Sequence, residues 1–537
     1  MKVLSLGMQG KKIYQEKLFA SFSLSNRVPK ENFYRQLREV LDLSDLYDLT
    51  SPYYGRSGQK SIDPTVFFKL CLVGYLENII SDRKLISHCS MRLDILFFLG
   101  YDIDDELPWH STISRTRQLF PEELFERVFT VVLQMCVEKG MVSGHSQAID
   151  SAPVKANASM ETLELKVPAE SLEEHLHKIR HISARDREEY KSRKRKAKVD
   201  KSDDDQRSNT ASKAELQAIE SRTKKWSEDQ NMRPGAGRSN SKYTSNKTHY
   251  SPTDPDARIS VKPGKARKLN YMSQLSVDTG HHIITDIRAY HADGKDNQYL
   301  QDIVQRLKPR LQNQGLLWRN CIADTGYSSG ENYAFLEKIG LESYIPPHGT
   351  YKGGPDGFIY NEEEDNYECP NGEKIPFKKV FKDSRTATLK KEYRSSTHQC
   401  KACPMRGTCL GKTAKEKKFS VTVYRAEYER NAKRVTSRLG KYMKGKRQST
   451  VEPVFGTLTQ FMGMRKVNTI GIEQANKCMM MAGIAYNLKK YLKFTQNLQK
   501  SKAKSLAFAQ LIKSMLLELI NSTLSLENYN HNRLRLN

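Results

Sequence analysis

Cysteine is scarce in this chain. Nine residues in 537 cannot staple a fold of that length, which excludes a disulfide scaffold and makes a reducing cytoplasm the simplest setting. No run of about 18 apolar residues occurs, so no membrane-spanning helix is expected. The opening segment, MKVLSLGMQGKK, has neither a long apolar stretch nor a small-residue cleavage site and does not read as a secretory signal. Walker-type and dinucleotide glycine motifs are missing too, so nothing points to ATP or NAD. Acids run short of bases, at 62 against 88 Lys and Arg, for a formal net charge of +26. Polyphosphate is the commonest partner for such a surplus, because each phosphate contact releases counterions. A merely soluble basic protein is the other reading that composition leaves open. What is present, 38% hydrophobic residues, suffices for real cores over about three or four domains.

The first 145 or so residues read as helical. Asp63-Pro64 starts a helix, with Asp as cap and Pro at the first helical position, and Val66, Phe67, Leu70, Val73, Ile79 and Ile80 largely keep helical spacing. Ser81 caps a second helix carrying Leu85 and Ile86. Ser111 opens a third segment, which sets Arg115, Arg117 and Gln118 beside Ile113 and Leu119. Short helices with a basic last one suit helix-turn-helix-like DNA binding, and they equally suit a plain packing module.

Beyond Gly144 the pattern changes. Gln147–Asp150 reads as a short strand ending in an acid, and about 165–250 is a charged, apolar-poor insertion, either a solvated spacer or a DNA contact. Tyr271, Leu275 and Val277 alternate as a strand, Asp278-Thr-Gly280 turns, and Ile283–Ala289 returns. An amphipathic helix over Asn297–Leu311 follows, then a strand over Leu316–Ala323 ending at Asp324. A further helix bears Tyr333, Phe335, Leu336 and Ile339, and Leu341–Ile345 forms another strand. This order predicts a mixed α/β domain with at least one crossover, begun by 146–345. Residues 346–425 interrupt it with polar, cysteine-bearing sequence, and 426–497 resume as helix. Residues 498–537 form an amphipathic tail with Leu506, Phe508, Leu511, Ile512 and Met515, suited to a partner surface more than to a membrane.

Three acids stand out by context: Asp150 in A-I-D-S, Asp324 in I-A-D-T-G-Y and Glu452 in S-T-V-E-P-V-F-G. An acid at the carboxyl end of a strand lies at the sheet edge where α/β folds bind ligands. Carboxylates gathered there repel one another unless a divalent cation is shared, which makes them candidate Mg²⁺ ligands; ordinary surface and capping acids are the alternative. Asp278 and Asp286 read as hairpin residues, Asp293 and Asp296 as charges at a helix start, and Met479–Met481 as core. Cys400-x2-Cys403-x5-Cys409, with Cys369 upstream, is spaced like a zinc ribbon, so these four are candidate Zn²⁺ ligands; free loop thiols are the alternative. Cys71, Cys89, Cys136, Cys321 and Cys478 lie in apolar stretches and read as core.

An ordered series of motifs resembles the DDE transposases of bacterial insertion sequences. It comprises G-Q-K-S-I-D-P-T-V-F-F-K at 58–69, H-S-T-I-S-R at 110–115, I-D-S-A-P-V-K-A-N-A-S at 149–159 and T-D-P-D-A-R at 253–258. It continues with the Tyr271–Asp278 strand, A-D-T-G-Y-S-S at 323–329 and V-E-P-V-F-G-T-L at 451–458. The resemblance implies a ribonuclease-H-like catalytic core behind an all-helical N-terminal DNA-binding domain, with Asp150, Asp324 and Glu452 as catalytic acids holding Mg²⁺ or Mn²⁺. It implies metal-dependent cleavage and strand transfer on double-stranded DNA, at element ends and target. It further implies a homo-oligomer, at least a dimer on DNA, at the bacterial nucleoid. Relatives often carry Tyr, Arg and Lys at set offsets around the glutamate. Here those offsets hold Gly445, Gln448 and Thr459, so Arg447 and its neighbour Lys446 are the basic residues left for phosphate, beside Arg115 and Arg117 of the helical domain. A relative that only binds DNA is the other reading; three converging acids favour the enzyme.

Overall fold

Helices begin where the capping residues stand. In the computed structural model, which describes residues 22–55, 61–165, 246, 249–260, 266–349, 353–383 and 388–534, Asp63 Oδ1 accepts the Thr65 and Val66 N–H groups and opens the helix Pro64–Leu76. Apart from its two ends, the 165–250 insertion lies outside the described residues. The Pro64–Leu76 helix is apolar all round, not on one face: Phe67, Phe68, Leu70 and Leu72 are fully buried, and both phenylalanines meet Phe120. Ile79 and Ile80 fall beyond its end, past Asn78 in the left-handed region at φ 59°. Ser81 caps Asp82–Ser90 as expected, through a bond from Lys84 N–H.

The chain divides into two compact units, one comprising Met1–Gly74, Ser81–Phe120 and Leu492–Asn537, the other Tyr75–Ile80 and Pro121–Tyr491. The first is helical throughout its described residues. The helix Glu122–Glu138, grouped by sequence with the N-terminal helices, belongs to the second. The predicted tail is the far end of one long helix, Ile472–Leu534, on which Leu506, Phe508, Leu511, Ile512 and Met515 are exposed.

The second unit is built on β1 (Ser146–Lys155), β4 (Arg258–Ser260), β5 (Lys268–Asp278), β6 (Ile284–His291), β7 (Asn320–Ala323) and β8 (Glu342–Tyr344). The short pair β2 (Glu164–Leu165) and β3 (His249–Tyr250) stands apart. Across the main sheet the order is β6-β5-β1-β7-β8, with β4 sharing the outer edge of β5. The strands β1, β7 and β8 run parallel, while β5 lies antiparallel to both β1 and β6. The helix Asp296–Asn313 follows β6, and Gly330–Lys338 makes the crossover from β7 to β8; their Leu300, Val304, Leu307 and Leu336 pack with Ile149 and Cys321 in one core.

β1 does not end at Asp150. It runs on through Pro153, and the reason lies in its two neighbours: β7 pairs only Ser146–Ile149, whereas β5 pairs Gln147–Lys155. Ladder N–H groups alternate in direction. Lys155 N–H donates to Arg465 and Ala156 N–H to Leu269 of β5, so the N–H that Pro153 lacks falls on the side β7 has already left.

The edge strand β6 is closed by side chains. Asn476 Oδ1 accepts Ala289 N–H at 2.9 Å, and Asn487 takes both Ile284 N–H and Ile284 C=O at 2.9 Å. Asn487 is fully buried, so Asn487→Leu strands one donor and one acceptor and should cost about 2–4 kcal/mol, read as a lower urea midpoint. Asp278 and Asp286 are structural as expected. Asp278 accepts Ser143, Gly144 and Gly280 N–H groups, and Asp286 pairs with Arg306 and Arg310.

Five strands form a second, antiparallel sheet: β9 (Ile359–Asn361), β10 (Asn366–Glu368), β11 (Lys374–Lys382), β12 (Leu389–Arg394) and β13 (Lys418–Thr422), in the order β13-β12-β11-β10-β9. Its core is aromatic, made by Tyr367, Ile375 and Tyr393 with Tyr360 and Phe419 against them.

Candidate active site

Parallel pairing brings two of the predicted acids to one place. The β1–β7 ladder ends at Ile149 opposite Ala323, so the next residue on each strand, Asp150 and Asp324, stands at the end of the shared ladder. Asp150 Oδ1 accepts Ser151 N–H at 2.8 Å, and Asp324 Oδ1 accepts Gly326 N–H at 2.9 Å, closing the turn Thr325–Tyr327.

A third carboxylate joins them that the sequence reading assigned to a helix start. Asp296 is the first residue of its helix, yet its Oδ1 accepts Gln274 Nε2 at 2.8 Å from the middle of β5. Gly326 lies between the two acids: a Cβ there would be 3.0 Å from Asp296 Oδ2 and 3.0 Å from Asp324 Oδ1. Gln274 Oε1 in turn accepts the hydroxyl of the fully buried Tyr327. Burial, then the charges of Asp296, Asp150 and Asp324, push the Tyr327 phenol well above its ordinary pKa, so it stays a neutral donor among the acids.

Arg447, on the helix Arg438–Phe461, donates from Nη1 to Asp150 Oδ2 at 2.7 Å, both side chains being largely buried. Burial nevertheless raises Asp150 to about 6; Ser151 N–H and Arg447 pull it down, and Asp324 and Asp296 add to the rise. A folded pKa above the unfolded 3.8 means that the folded state binds this proton more tightly. The stability it contributes is complete below about pH 4 and is lost as the pH climbs through about 6. In metal-free protein, Asp150→Asn should therefore raise the urea midpoint at pH 7.5 and leave it unchanged at pH 4.

The remaining predicted residues are not gathered here. Glu452 is exposed, five residues beyond Arg447 and between the buried Val451 and Val454. Lys446 is half-buried and, after burial and Lys490, helps hold the His282 imidazole below its ordinary pKa. Arg115 is exposed in the helical unit. Arg117, expected to face DNA, instead is buried and grips Asp82 at 3.0 and 3.2 Å, tying two helices together. Cys369, Cys400, Cys403 and Cys409 are half-buried free thiols, with Cys400 Sγ 3.0 Å from Ser395 Oγ. Among the described residues no three His, Cys, Asp or Glu side chains form a metal-holding group, so neither the four cysteines nor Asp150, Asp324 and Glu452 are brought together as a set. An aromatic core organises the cysteine-bearing region, which its polar sequence does not suggest. The other five cysteines are buried, as predicted.

T-D-P-D-A-R has a structural task. Asp254 Oδ1 accepts Gly471 N–H, and Asp256 Oδ2 accepts Ile472 N–H at the start of the long C-terminal helix.

Two stretches match models of transposase domains: residues 22–119 a transposase domain (DUF772) and residues 368–492 a transposase DDE domain. The chain is thus a transposase in class, with the first match in the helical N-terminal region. More particularly, the two matches together identify it with the DDE transposases of insertion sequences. The second match contains Glu452 and Arg447 and leaves Asp150 and Asp324 outside it. No curated protein and no solved structure matches the chain.

Proposed function

We propose that the chain binds the ends of its mobile element, cuts the DNA there and joins the freed 3′-hydroxyl to target DNA, with Asp150, Asp324 and Glu452 as the catalytic acids. The observation that carries this reading is the common ladder end at Asp150 and Asp324, with Asp296 and Arg447 against them. Three parallel strands beside an antiparallel hairpin, in the order β6-β5-β1-β7-β8, support a ribonuclease-H-like core. The oxygen donors of Asp150 and Asp324 suit Mg²⁺ or Mn²⁺, which take one or two carboxylates and keep waters. Such an ion, when bound, supplies a lowered pKa for the attacking water or hydroxyl and neutralises charge on the phosphate. Glu452, exposed on the helix that carries Arg447, is the third acid of this reading and would complete the ligand set only by moving up to the strand-end pair.

The chain's own residues do the rest. Tyr327 and Gln274 fix Asp296, and Ser151 N–H and Gly326 N–H fix the two strand-end acids, so their carboxylates are oriented before DNA arrives. Arg447, with its planar fork, is the phosphate clamp once Asp150 is engaged elsewhere, and Lys446 adds positive charge on the same helix. The helical unit binds element ends through Arg115, and the protein works as a dimer or larger assembly at the nucleoid. No described helix is long and apolar enough to cross a membrane. The binding-only reading is not favoured, because a binder has no use for carboxylates that repel phosphate.

Incubation of the full chain with duplex carrying its native flanking DNA, with and without Mg²⁺, tests the proposal. Metal-dependent nicks confined to the element ends are expected; specific binding without any nick overturns the catalytic reading.

A further inference from the structure

Carboxylates set near one another call for a counter-charge. Asp150, Asp324 and Asp296 have one within the chain. Among the described residues, the ion pair from Arg447 to Asp150 is the only one that reaches any of the three. Its side chains are 13% and 18% exposed, so water and salt screen it weakly. Its position matters as much as its charge. Asp150 Oδ1 is taken by Ser151 N–H, and Arg447 takes Oδ2, the oxygen left for a metal ion.

A buried ion pair can serve only to tie two elements together, here the helix Arg438–Phe461 to β1. That helix is already docked by apolar contacts. Its Met443 packs with Ile322 of β7 and Tyr344 of β8, and its Val451, Val454 and Leu458 are fully buried. An apolar residue at position 447 would continue that packing without a charge to bury. A guanidinium placed on the one acid that ends the β1–β7 ladder, beside Asp324 and Asp296, therefore asks for another reason.

Breaking a buried pair from one side strands the other charge, and that is the costly event. A divalent ion alone on Asp150 strands Arg447, and a DNA phosphate alone on Arg447 strands Asp150. When both arrive, no charge is left unpaired: the ion takes the carboxylate, and the phosphate takes the guanidinium, whose planar fork suits it. We infer that Arg447 is a built-in counter-ion holding the metal's carboxylate, and that partner exchange at Asp150 makes Mg²⁺ or Mn²⁺ binding and DNA binding cooperative. The chain then holds its ion tightly only with a strand in the site. The inference rests on the metal-dependent reading above and adds to it what governs the ion's entry.

The test measures this linkage from both ends, since a coupling between two ligands is reciprocal. Mn²⁺ binding to the full chain is followed by electron paramagnetic resonance, with and without duplex carrying the native flanking DNA, ion held by duplex alone being subtracted. Duplex binding is followed by fluorescence anisotropy, with and without Mn²⁺ at constant ionic strength. The ion counted is the one that Asp324→Asn removes. Duplex should tighten Mn²⁺ by about 10-fold or more, and Mn²⁺ should tighten duplex by the same factor. Arg447→Gln should bind Mn²⁺ without DNA as tightly as wild type does with it, and its coupling factor should fall below about 2. Arg447→Lys, which keeps the charge, should stay coupled. If the Gln variant does not fold, Arg447→Met, which fills similar space without charge, takes its place with the same expectation. A wild-type factor near one, or a Gln or Met variant with wild-type coupling, overturns the inference, while Asp324-dependent Mn²⁺ leaves the metal reading standing. No Asp324-dependent ion in any state overturns both.

Discussion

Asp324→Asn is expected to lower strand cleavage by about 10³-fold or more while leaving the fold unchanged, since the cost of losing a preorganised electrostatic group at a reacting phosphate is of that order or larger. The substitution separates chemistry from architecture because of what Asp324 does locally. Its Oδ1 caps a turn by accepting Gly326 N–H, and an Asn carbonyl accepts that bond equally well. Its charge, by contrast, is lost in the Asn variant, which leaves only Asp150 and Asp296 ionisable at this strand end. Cleavage of end-bearing duplex in Mg²⁺ should disappear, and thermal melting and end binding should match wild type. Glu452→Gln should behave alike, although Glu452 is exposed on its helix. If Asp324→Asn protein still nicks element ends at the wild-type rate, the assignment of the acid is wrong.

The strand-end acids were legible because parallel pairing places the carboxyl ends of sequence-distant strands together, and a short apolar run stopping at an acid marks such an end. Asp324 was read that way correctly. Asp150 was read as a terminus and lies instead within a longer strand, since Pro153 looks like a breaker until its missing N–H is placed on the open side. Asp296 was hidden by an ambiguity of position: an acid at the start of a helix satisfies the helix dipole, and nothing local reveals that Gln274 reaches it from β5. Arg117 was misread for the same reason, because its partner Asp82 is thirty-five residues away and on another helix. The second sheet escaped altogether. Its core takes Tyr367, Ile375, Tyr393 and Phe419 from four different strands, so no single segment shows an apolar period strong enough to read.

The acid that sequence missed carries the second large expectation. Asp296→Ala should reduce cleavage by about 10–100-fold with little change in end binding, the usual loss when a residue that orients a metal-site ligand is removed. Two roles are open to it, and one further substitution separates them. If Asp296 only holds Gln274, and through it Tyr327, then Asp296→Asn keeps an acceptor for Gln274 Nε2 and restores the rate. If its charge acts on the site, Asn fails as Ala does. Charge is the stronger expectation: Asp296 contributes to the upward shifts of both Asp150 and Tyr327, so its field reaches both. Asp296→Asn should therefore cleave as poorly as Asp296→Ala, and full activity in the Asn variant would reduce Asp296 to a hydrogen-bond anchor. Gly326→Ala probes the same geometry from between the acids. The new methyl group, 3.0 Å from an oxygen of each carboxylate, forces one or both to yield by a few tenths of an ångström. Misplacement approaching 1 Å at such a site costs up to about 10²-fold, so a measurable fall in cleavage at unchanged melting temperature is expected. It should also leave Arg447 bound to Asp150, since that contact comes from the Arg438–Phe461 helix and does not pass through Gly326.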